Sequence, residues 1–570
     1  MRVGRAEDLL ADLSEPLTRR DCLTYVERLP RREGRTGRWP EWADPRLVEH
    51  LRSSGVSAPW IHQEEAARLA EDGRHVVLST ATASGKSLAY LLPALTAIGA
   101  RDRDPTAPRA TVLYLSPTKA LAADQLTNIT ALADGAELAA ARVATFDGDT
   151  PTEQRRWIRR HGTFVLTNPD MLHFGILPGH EQWAHFFRAL RYVVIDECHS
   201  YRGVFGSHVA LVLRRLRRIA AAYHAEPTFV LASATTAAPE LSAARLIGDD
   251  VTAVTEDGSP RAGLTIGLWE PGTLARVDGR PASASGEGRD ERPDQSRDES
   301  LPGIANGEDG RSTRTEGNAD AAAPDAEEQD GGETTSHGSR EAPLRRSATS
   351  EAAALLADLV ARDVQTLVFT RSRRSAELVS SGARRQLTER GEHTHRADLV
   401  DRASHIAAYR GGYLAEERRS LEDALRSGRL RALASTNALE LGIDVAGLDA
   451  VLITGWPGTR ASFWQQAGRA GRRQDADGGA LALFVAREDP LDTYVVHHPE
   501  SVLGQEVEAA VFDPTNPYVM IPHLCAAAAE LPIRLGQEAA LGPTAEELLG
   551  TLAERGVLRR RPGGWYWTMD

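Results

Sequence analysis

The chain has 570 residues and a formal net charge of −13, and this length predicts several domains because a single hydrophobic core does not grow to that size. No run of about 18 apolar residues occurs, so the sequence predicts no membrane span. The N-terminus MRVGRAEDLLADLSEP lacks the apolar segment of a secretory signal. The three cysteines, Cys22, Cys198 and Cys525, form no C-x-x-C pair. We therefore expect a cytoplasmic protein with neither disulfides nor a zinc site within this chain.

The acidic charge is concentrated in one stretch of the chain. Residues 272–343 carry 17 acidic and 8 basic side chains, which leaves a net charge of only −4 for the remainder. A nearly neutral body can still present basic surfaces to a nucleic acid. Almost all basic residues are arginine, and the two lysines are Lys86 and Lys119. Both positions are therefore expected to need a compact charge on a flexible stem.

Residues 1–55 form a predicted N-terminal extension to which we assign no chemistry. From residue 56 onward, short apolar runs alternate with helical stretches. The predicted strands are HVVLST (75–80), ATVLYLS (110–116), TFVLTN (163–168), YVVIDE (192–197) and PTFVLASAT (227–235). Strands that are apolar on both faces are typical of a parallel sheet covered by helices. The pattern predicts a doubly wound α/β domain over residues 56–270.

Residues 271–344 contain almost no large apolar side chains, and this composition predicts a disordered acidic linker. A second α/β domain is predicted over residues 345–490. Its strands are QTLVFT (365–370), RALAST (431–436), LDAVLITG (448–455) and ALALFVA (480–486). Residues 491–570 end in a helix, a short strand, a Pro-Gly-Gly turn and an aromatic strand. This order suits either a winged-helix-like segment or an ordinary helix and hairpin.

The stretch TATASGKSLAY (80–90) follows the first strand and opens a helix. It matches the phosphate-binding pattern G-x-x-x-x-G-K-[ST] except that Thr80 replaces the first glycine. Backbone N–H groups of such a loop bind phosphates, the lysine contacts the β and γ phosphates, and the serine binds Mg²⁺. The loop therefore predicts a site for ATP and Mg²⁺. Its predicted contact residues are Thr82, Ala83, Ser84, Gly85, Lys86 and Ser87.

The strand VVIDE ends in two carboxylates about 110 residues after Lys86. We predict that Asp196 binds Mg²⁺ and that Glu197 orients and deprotonates the attacking water. Cys198 and His199 follow, but adjacent side chains at a strand end point apart and no further metal ligands lie nearby. We interpret Cys198 as a bystander and His199 as a residue that couples the ATP site to its neighbours.

DECH at this position resembles the DExH box of superfamily 2 helicases, and further motifs of that superfamily follow in order. They are SPTKALAADQ (116–125), TNPDML (167–172), SAT (233–235), TLVFTRSRRSAEL (366–378), ASTNALELGIDV (434–445) and QQAGRAGRR (465–473). Longer stretches, such as DECHSYRGVFGSHVALVLRRLRRI and DPLDTYVVHHPE, closely resemble the mitomycin repair helicase family (MrfA/YprA-like), kin of fungal RecQ-like helicases. The resemblance implies two tandem RecA-like parallel-sheet domains. It also implies an ATP-dependent 3′-to-5′ DNA helicase that acts in DNA repair on single-stranded and tailed duplex DNA.

The resemblance also implies roles for individual residues. Arg469 and Arg472 are expected to act as arginine fingers, catalytic together with Lys86, Asp196 and Glu197. Further nucleotide contacts are implied for Gln63, Gly442 and Asp444. Coupling between the ATP site and the strand is implied for His199, Ser233, Thr235 and Gln465. Nucleic-acid contacts are implied for Pro117, Thr118, Lys119, Asn168, Pro169, Thr370, Arg371 and Thr436.

Two features depart from the family pattern, namely the acidic insertion and the absence of the four-cysteine zinc domain with which the family continues. Three other functions stay open: an RNA helicase, an ATPase that does not unwind, and a non-catalytic ATP-gated binding module, against which Lys86, Glu197 and Arg472 argue. We expect a monomer. On the helix LRRLRRI (213–219) the arginines are expected to form a solvated face. The aromatic residues of GWYW (564–567) could either stack on DNA or fill a core.

Overall fold

The computed structural model describes residues 6–82, 84–273, 276–277, 280–281, 345–409, 413, 415–440, 448–471 and 479–568. Most of the predicted linker lies outside these residues, as do the predicted site residues Ala83, Gly442, Asp444 and Arg472. The chain divides into two compact units, one of residues 1–272 with 346–570 and one of residues 273–345. Within the described ranges, no helix is both long and apolar enough to cross a bilayer.

The N-terminal residues contribute to both α/β domains. They form α1 (Ala6–Ser14), β1 (Leu23–Leu29) and α2 (Pro45–Ser53). The buried leucines of α1 pack in the core of the second domain, whereas Leu47, Val48 and Leu51 of α2 pack in a core of the first. Asp44 caps α2 by accepting a hydrogen bond from the Arg46 backbone N–H, and Pro45 occupies the first helical position. The predicted extension is therefore an integral part of the fold.

The first domain is a seven-stranded parallel sheet with the order β4-β5-β3-β6-β7-β2-β8. Its strands are β2 (Val76–Ser79), β3 (Thr111–Leu115), β4 (Val143–Thr145), β5 (Phe164–Thr167), β6 (Leu190–Ile195), β7 (Thr228–Ser233) and β8 (Thr252–Val254). Its helices are α3 (Ile61–Glu71), α4 (Ser87–Arg103), α5 (Lys119–Gly135), α6 (Thr152–His161), α7 (Pro169–Met171), α8 (Ala184–Arg188), α9 (Gly203–Ala222) and α10 (Pro239–Ile247). Alternate residues of β3 enter two separate cores, Leu113 and Leu115 on one face and Val112 and Tyr114 on the other. This confirms the predicted sheet with helices on both faces.

The next strand, β9 (Leu264–Trp269), joins the sheet of the second domain although it lies within the range 56–270 predicted for the first. It pairs antiparallel with β1 and parallel with the later strand at residues 480–485. All six residues of β9 are buried, and for such a strand tertiary pairing rather than pattern decides which sheet it enters. The chain therefore crosses between the domains at residues 255–263. The acidic residues 272–343, which we call the acidic excursion, start after β9. The two ends of this segment are joined at its base, because the Arg346 N–H donates to the Gly272 carbonyl at 3.0 Å.

The second unit contains one described antiparallel pair, β10 (Arg276–Val277) with β11 (Arg280–Pro281).

The second domain is a seven-stranded sheet with the order β1-β9-β16-β15-β12-β14-β13, parallel except for β1. Its remaining strands are β12 (Thr366–Phe369), β13 (Ile406–Tyr409), β14 (Ala432–Ser435), β15 (Ala450–Thr454) and β16 (Ala480–Val485). Its helices are α11 (Ala348–Ala361), α12 (Arg373–His393), α13 (Ala397–Ala403), α14 (Ala415–Arg426), α15 (Arg460–Ala467) and α16 (Pro490–His497). The two sheets confirm the predicted tandem RecA-like domains.

The C-terminal residues form a winged helix. Its elements are α17 (Pro517–Glu530), β17 (Ile533–Arg534), α18 (Glu538–Leu541), α19 (Ala545–Glu554), β18 (Leu558–Arg561) and β19 (Gly564–Trp567). The strand order β17-β19-β18 places a β18–β19 hairpin beside the helices as a wing. Trp565 is buried and its indole N–H donates to Glu538 Oε1 at 3.0 Å, so this aromatic residue serves the core. Gly564 has a φ of +135°, and a Cβ there would lie 2.0 Å from the Ile533 carbonyl oxygen.

The prediction that the α9 arginines form a solvated face was wrong. Arg215 is fully buried and its guanidinium pairs with Glu530 of α17. Arg214 donates to the Leu541 carbonyl at 2.9 Å and Arg218 to the Leu531 carbonyl at 2.9 Å. The spacing 214, 215 and 218 puts these side chains on one side of the helix. That side docks the winged helix onto the first domain.

Candidate ATP and nucleic-acid site

The predicted phosphate loop connects β2 to α4. Gly85 has a φ of +77°, and a Cβ there would lie 2.6 Å from the Gln63 amide nitrogen, so only glycine fits. Thr80, which replaces the first glycine of the motif, is buried and its hydroxyl lies 2.7 Å from the Ser84 hydroxyl. The Lys86 ammonium donates to the carbonyls of Thr80 and Ala81 at 3.2 and 3.0 Å. The loop is thus closed by side-chain contacts with its lysine held inside.

Two residues of α3 brace this loop from behind. The Gln63 amide donates to the Gly85 carbonyl at 2.7 Å and accepts from the Trp60 N–H at 2.8 Å. Next to it, His62 accepts from the Gly258 N–H at Nδ1, so its Nε2 carries the proton and donates to the Ser84 carbonyl at 3.1 Å. Burial lowers the pKa of His62 and keeps it neutral, as this pairing requires. The predicted nucleotide contact Gln63 therefore also supports the loop, and His62 was not assigned this role from the sequence.

The two predicted catalytic carboxylates lie at the end of β6. Asp196 is buried and accepts hydrogen bonds from the Tyr114 hydroxyl and, at 3.0 Å, from the Glu197 N–H. Burial, reinforced by the charge of Glu197, raises the pKa of Asp196. Glu197 has a left-handed backbone with a φ of +49°, an uncommon conformation outside glycine that is often found at functional sites. Its buried Oε2 accepts no hydrogen bond from the described residues, which leaves that oxygen free to take a proton.

The residues present fit a magnesium ion bound together with ATP. Asp196 and Ser87 offer the hard oxygen ligands that Mg²⁺ prefers, and a buried carboxylate gains from a cation beside it. Among the described residues no cluster of three His, Cys, Asp or Glu side chains could hold a metal alone. Mg²⁺ at a nucleotide site needs only one or two protein ligands because phosphates and water supply the others.

His199 touches three parts of the predicted machinery. Its Nδ1 accepts from the Ala234 N–H at 3.2 Å and lies 3.4 Å from Glu197 Oε2. Its Nε2 lies 2.6 Å from the side-chain amide of Gln465 in the second domain. Burial, with the charge of Lys86 nearby, lowers the pKa of His199 to about 4. Because Nδ1 is an acceptor, Nε2 carries the proton. The Gln465 atom at 2.6 Å is the amide nitrogen, so the amide group has to turn by 180° for its oxygen to accept this proton.

The neighbouring predicted residues lie in different surroundings. Ser233 donates to the Ala234 carbonyl at 2.7 Å, and Thr235 lines the cleft between the domains. Burial raises the pKa of Cys198 to about 12, so the thiol stays protonated and is a poor nucleophile at neutral pH. The rings of Tyr90 and Tyr114 pack 6.0 Å apart behind Asp196. Neither tyrosine was recognised from the sequence, where both looked like ordinary core residues.

The second domain approaches the phosphate loop through the end of α15. A Cβ on Gly468 would lie 2.8 Å from the Thr82 hydroxyl, so a glycine is needed where the two domains meet. Arg469 is buried and its guanidinium donates to the Glu440 carbonyl of its own domain. Its role as an arginine finger therefore stays a prediction. Between the domains lies a cleft of about 580 Å³. Its lining includes Trp60, Ala81, Thr82, Thr235, Trp464 and Gln465.

The predicted nucleic-acid contacts lie where strands of the two sheets end. Thr118 and Asn168 cap α5 and α7 by accepting backbone N–H groups at 3.3 and 2.8 Å. Lys119 pairs with Asp149 at 2.8 Å and is exposed. In the second domain, Thr370 and Arg371 border a cavity of about 140 Å³ together with residues that sequence analysis missed. These are Asn437, Thr454 and Gln466.

Three family models match parts of the chain. Residues 60–243 match the DEAD/DEAH box helicase family, residues 351–474 the helicase conserved C-terminal domain, and residues 512–570 the winged helix domain of the ATP-dependent helicase HRQ1. The chain is 34% identical to YprA of Bacillus subtilis, described as an uncharacterized ATP-dependent helicase, over 98% of this chain and 64% of YprA. It is 36% identical to HRQ1 of Saccharomyces cerevisiae over 84% of this chain and 38% of HRQ1.

A solved structure agrees with these relatives. The DUF1998 helicase MrfA bound to DNA has a TM-score of 0.79 with 34% identity, over 99% of this chain and 64% of MrfA. MrfA bound to DNA and AMPPNP has a TM-score of 0.78. The chain spans less than two thirds of the length of these relatives. It belongs to the superfamily 2 helicases of the MrfA/YprA type, which are related to HRQ1.

Proposed function

We propose that the chain is an ATP-dependent DNA helicase that moves 3′-to-5′ along single-stranded DNA and unwinds tailed duplexes in DNA repair. The observation that carries this proposal is the position of His199. One side chain lies 3.4 Å from the predicted catalytic Glu197 and contacts the backbone of Ala234 and the Gln465 amide of the opposite domain. Such a contact can report the state of the ATP site to the second domain. The DNA-bound and AMPPNP-bound structures of MrfA support the choice of DNA and ATP.

The first domain would bind and hydrolyse ATP. Lys86 would exchange its contacts with the loop carbonyls for the β and γ phosphates, and Ser87 with Asp196 would hold Mg²⁺. The ion, when bound, neutralises phosphate charge. Glu197 would orient the attacking water and accept its proton at Oε2, which has no other hydrogen bond among the described residues. Gln63 and His62 would keep the loop in shape while the phosphates change.

The second domain would complete the site by closing onto the first. Arginine fingers raise hydrolysis by about 10³–10⁵ in related NTPases, and Arg469 and Arg472 are proposed for this role. Arg469 is held by the Glu440 carbonyl, so it has to rotate away from that oxygen to reach a phosphate. Closure would follow ATP binding and opening would follow product release. Each cycle would then shift the second domain along the strand.

The strand is proposed to cross the carboxyl ends of both sheets. Loops 116–119 and 168–169 of the first domain and residues 370–371 and 436 of the second would contact its phosphates. Phosphate contacts from backbone N–H groups at a helix start, such as that of α5, fix position without reading sequence. Base-specific readout is therefore not expected from these residues.

The proposal is tested by measuring ATP hydrolysis with and without single-stranded DNA or RNA, and strand displacement on duplexes with a 3′ or a 5′ tail. We expect DNA-stimulated hydrolysis and unwinding from the 3′ tail, both abolished in Lys86→Ala. Stimulation by RNA alone would replace the DNA assignment with an RNA helicase. Hydrolysis without displacement from either tail would show an ATPase that does not unwind, and displacement from the 5′ tail would reverse the polarity.

A further inference from the structure

A basic pocket lies on the first domain at the opposite end of its sheet from the ATP site. Its volume is about 240 Å³. Its lining consists of Ile98, Arg101, Arg109, Ala110, Ala140, Arg142, Arg160, His161 and Thr163. Ala110, Arg142 and Thr163 stand directly before β3, β4 and β5, and Arg109 precedes Ala110. The pocket is thus built at the amino ends of three neighbouring strands, whereas the predicted strand contacts follow the carboxyl ends of β3 and β5.

The four arginines of this pocket form no ion pair among the described residues. Arg101 donates to the Pro105 carbonyl at 3.1 Å, and Arg142 lies 3.3 Å from Nδ1 of His161. Since arginine only donates, that nitrogen of His161 is an acceptor and cannot carry a proton. The neighbouring Asp102 is occupied by the Ala140 N–H at 2.9 Å and by Arg46 at 3.5 Å. Four guanidinium groups therefore line one cavity, and in the described part of the chain none of them is paired with a carboxylate.

Helix ends account for only part of this arrangement. Arg101 lies in the last turn of α4 and Arg160 in that of α6, where a cation is favoured by the helix dipole. Arg109 and Arg142 lie on no helix. Arg109 is half-buried, and its pKa is lowered by burial and by the charges of Arg101 and Arg142. Placing it there is unfavourable unless an anion shares the pocket.

The adjoining surface of α6 identifies the class of anion. Arg156 and Trp157 lie one turn before Arg160 and His161, and Trp157 is 45% exposed. An exposed aromatic ring beside free guanidinium groups is typical of surfaces that bind the phosphates of a nucleic acid and stack on its bases. We infer that the pocket formed by Arg101, Arg109, Arg142 and Arg160 binds the backbone phosphate of a second DNA segment. This segment lies outside the proposed strand path across the carboxyl ends of the two sheets. This inference rests on the proposed DNA function.

The distance between the two sites sets what the pocket can hold. β3 has five residues, which separates its ends by about 16 Å at about 3.3 Å per residue. A short strand whose nucleotides all lie in the proposed strand path has none left to occupy the pocket. A tailed duplex can reach it with its duplex arm or with the displaced strand. The pocket would therefore add affinity for long substrates and leave that for short ones unchanged.

The test compares DNA binding by the full chain and by the variant Arg109→Gln/Arg142→Gln, without ATP and over a range of salt concentrations. For a tailed duplex we expect about tenfold weaker binding and a salt slope smaller by about 1–2, because each phosphate contact contributes about one unit. For a single strand of about 10 nucleotides, which one binding site covers, we expect no change. Arg109→Lys keeps the charge and should retain most of the binding.

A matched variant removes the same charge elsewhere. Arg68→Gln/Arg385→Gln takes away two exposed arginines that pair with Asp72 and Glu389, and it should bind the tailed duplex like the unmodified chain. Equal losses in both double variants would reduce the effect to net charge and overturn the inference. Inorganic phosphate that raises the melting temperature of the unmodified chain alone, with DNA binding unchanged in the variant, would assign the pocket to a free anion instead.

The outcome does not depend on whether the motor works. Binding is measured without ATP, so a failure of the proposed helicase activity leaves the pocket test intact. If the unmodified chain unwinds DNA but the pocket variant binds tailed duplexes normally, the pocket assignment fails while the proposed function stands.

Discussion

Two of the contacts that the first domain makes with other parts of the chain differ in their chemistry. Toward the second domain, His199 meets Gln465 through one neutral side-chain pair at the edge of an open cleft. Toward the winged helix, Arg215 forms a fully buried ion pair with Glu530, and Arg214 and Arg218 donate to backbone carbonyls. We call the contact between His199 and Gln465 the latch, and the contact between the α9 arginines and the winged helix the mount.

The difference between them follows from the cost of separation. A neutral hydrogen bond contributes about 0.5–1.5 kcal/mol net, so water can replace it when the cleft opens. A buried ion pair that loses one partner leaves an uncompensated charge, at about 3–5 kcal/mol. Parts that move in every ATP cycle need the first type, and parts that move together need the second. We therefore expect the winged helix to travel with the first domain.

The largest effect is expected from breaking the mount. Arg215→Ala leaves Glu530 buried without its partner and should lower the free energy of unfolding by about 3–5 kcal/mol. Denaturant unfolding measures this, and limited proteolysis should release the winged helix first. Arg217→Ala is the matched control, since Arg217 pairs with Asp249 at the surface and should change stability by no more than about 1 kcal/mol. Similar losses of unfolding free energy in Arg215→Ala and Arg217→Ala would contradict the stabilising role of the buried ion pair.

Acid should weaken the same mount. Nδ1 of His523 accepts from Arg215 at 3.1 Å, its Nε2 faces His208 at 2.9 Å, and the Arg215 guanidinium also faces Nδ1 of His173 at 2.8 Å. Burial and the Arg215 charge lower the pKa of His523 to about 3 and that of His173 to about 4.

The direction of this pH effect on stability follows from the difference in proton uptake between the folded and unfolded chains. Both histidines have folded-state pKa values below about 6.5, their unfolded value, so only the unfolded chain binds these protons between about pH 6.5 and pH 4. Stability should therefore fall as pH drops through this window and be independent of these groups above it. Urea titrations at several pH values measure this. His523→Gln should flatten the pH dependence, and an unchanged slope in that variant would show that other groups cause it.

Breaking the latch should affect coupling more than stability. His199→Ala and Gln465→Ala are each expected to reduce the DNA-stimulated rate of ATP hydrolysis several-fold, with little change in the unstimulated rate. The double variant should be no worse than the single ones, because both remove the same contact. A double-mutant cycle on the stimulated rate measures this. Strictly additive losses would mean that the two residues act separately.

The features that depend on local sequence pattern could be predicted from the sequence. The phosphate loop, the DECH strand end and most strands follow from apolar runs and motif spacing, and Gly85 and Gly468 stand where close approach requires glycine. The features that depend on tertiary pairing, namely the sheet that β9 joins and the partners of the α9 arginines, could not be predicted. β9 is apolar on both faces and carries no mark of the sheet it joins. The α9 arginines were placed in solvent because arginine usually lies there, and their partner Glu530 is 315 residues away.

The smallest effect is expected from removing the acidic excursion. Because β9 belongs to the second domain, this stretch does not connect the two α/β domains. Its base is closed by the hydrogen bond from Arg346 to Gly272 and by the bridge between Thr273 and Arg345. Replacing residues 274–344 with a short Gly/Ser linker should leave DNA-stimulated hydrolysis within about twofold, since stability depends only weakly on loop length. Hydrolysis and unfolding of the shortened chain measure this. A large loss would mean that the excursion contributes to hydrolysis in addition to the latch and the mount.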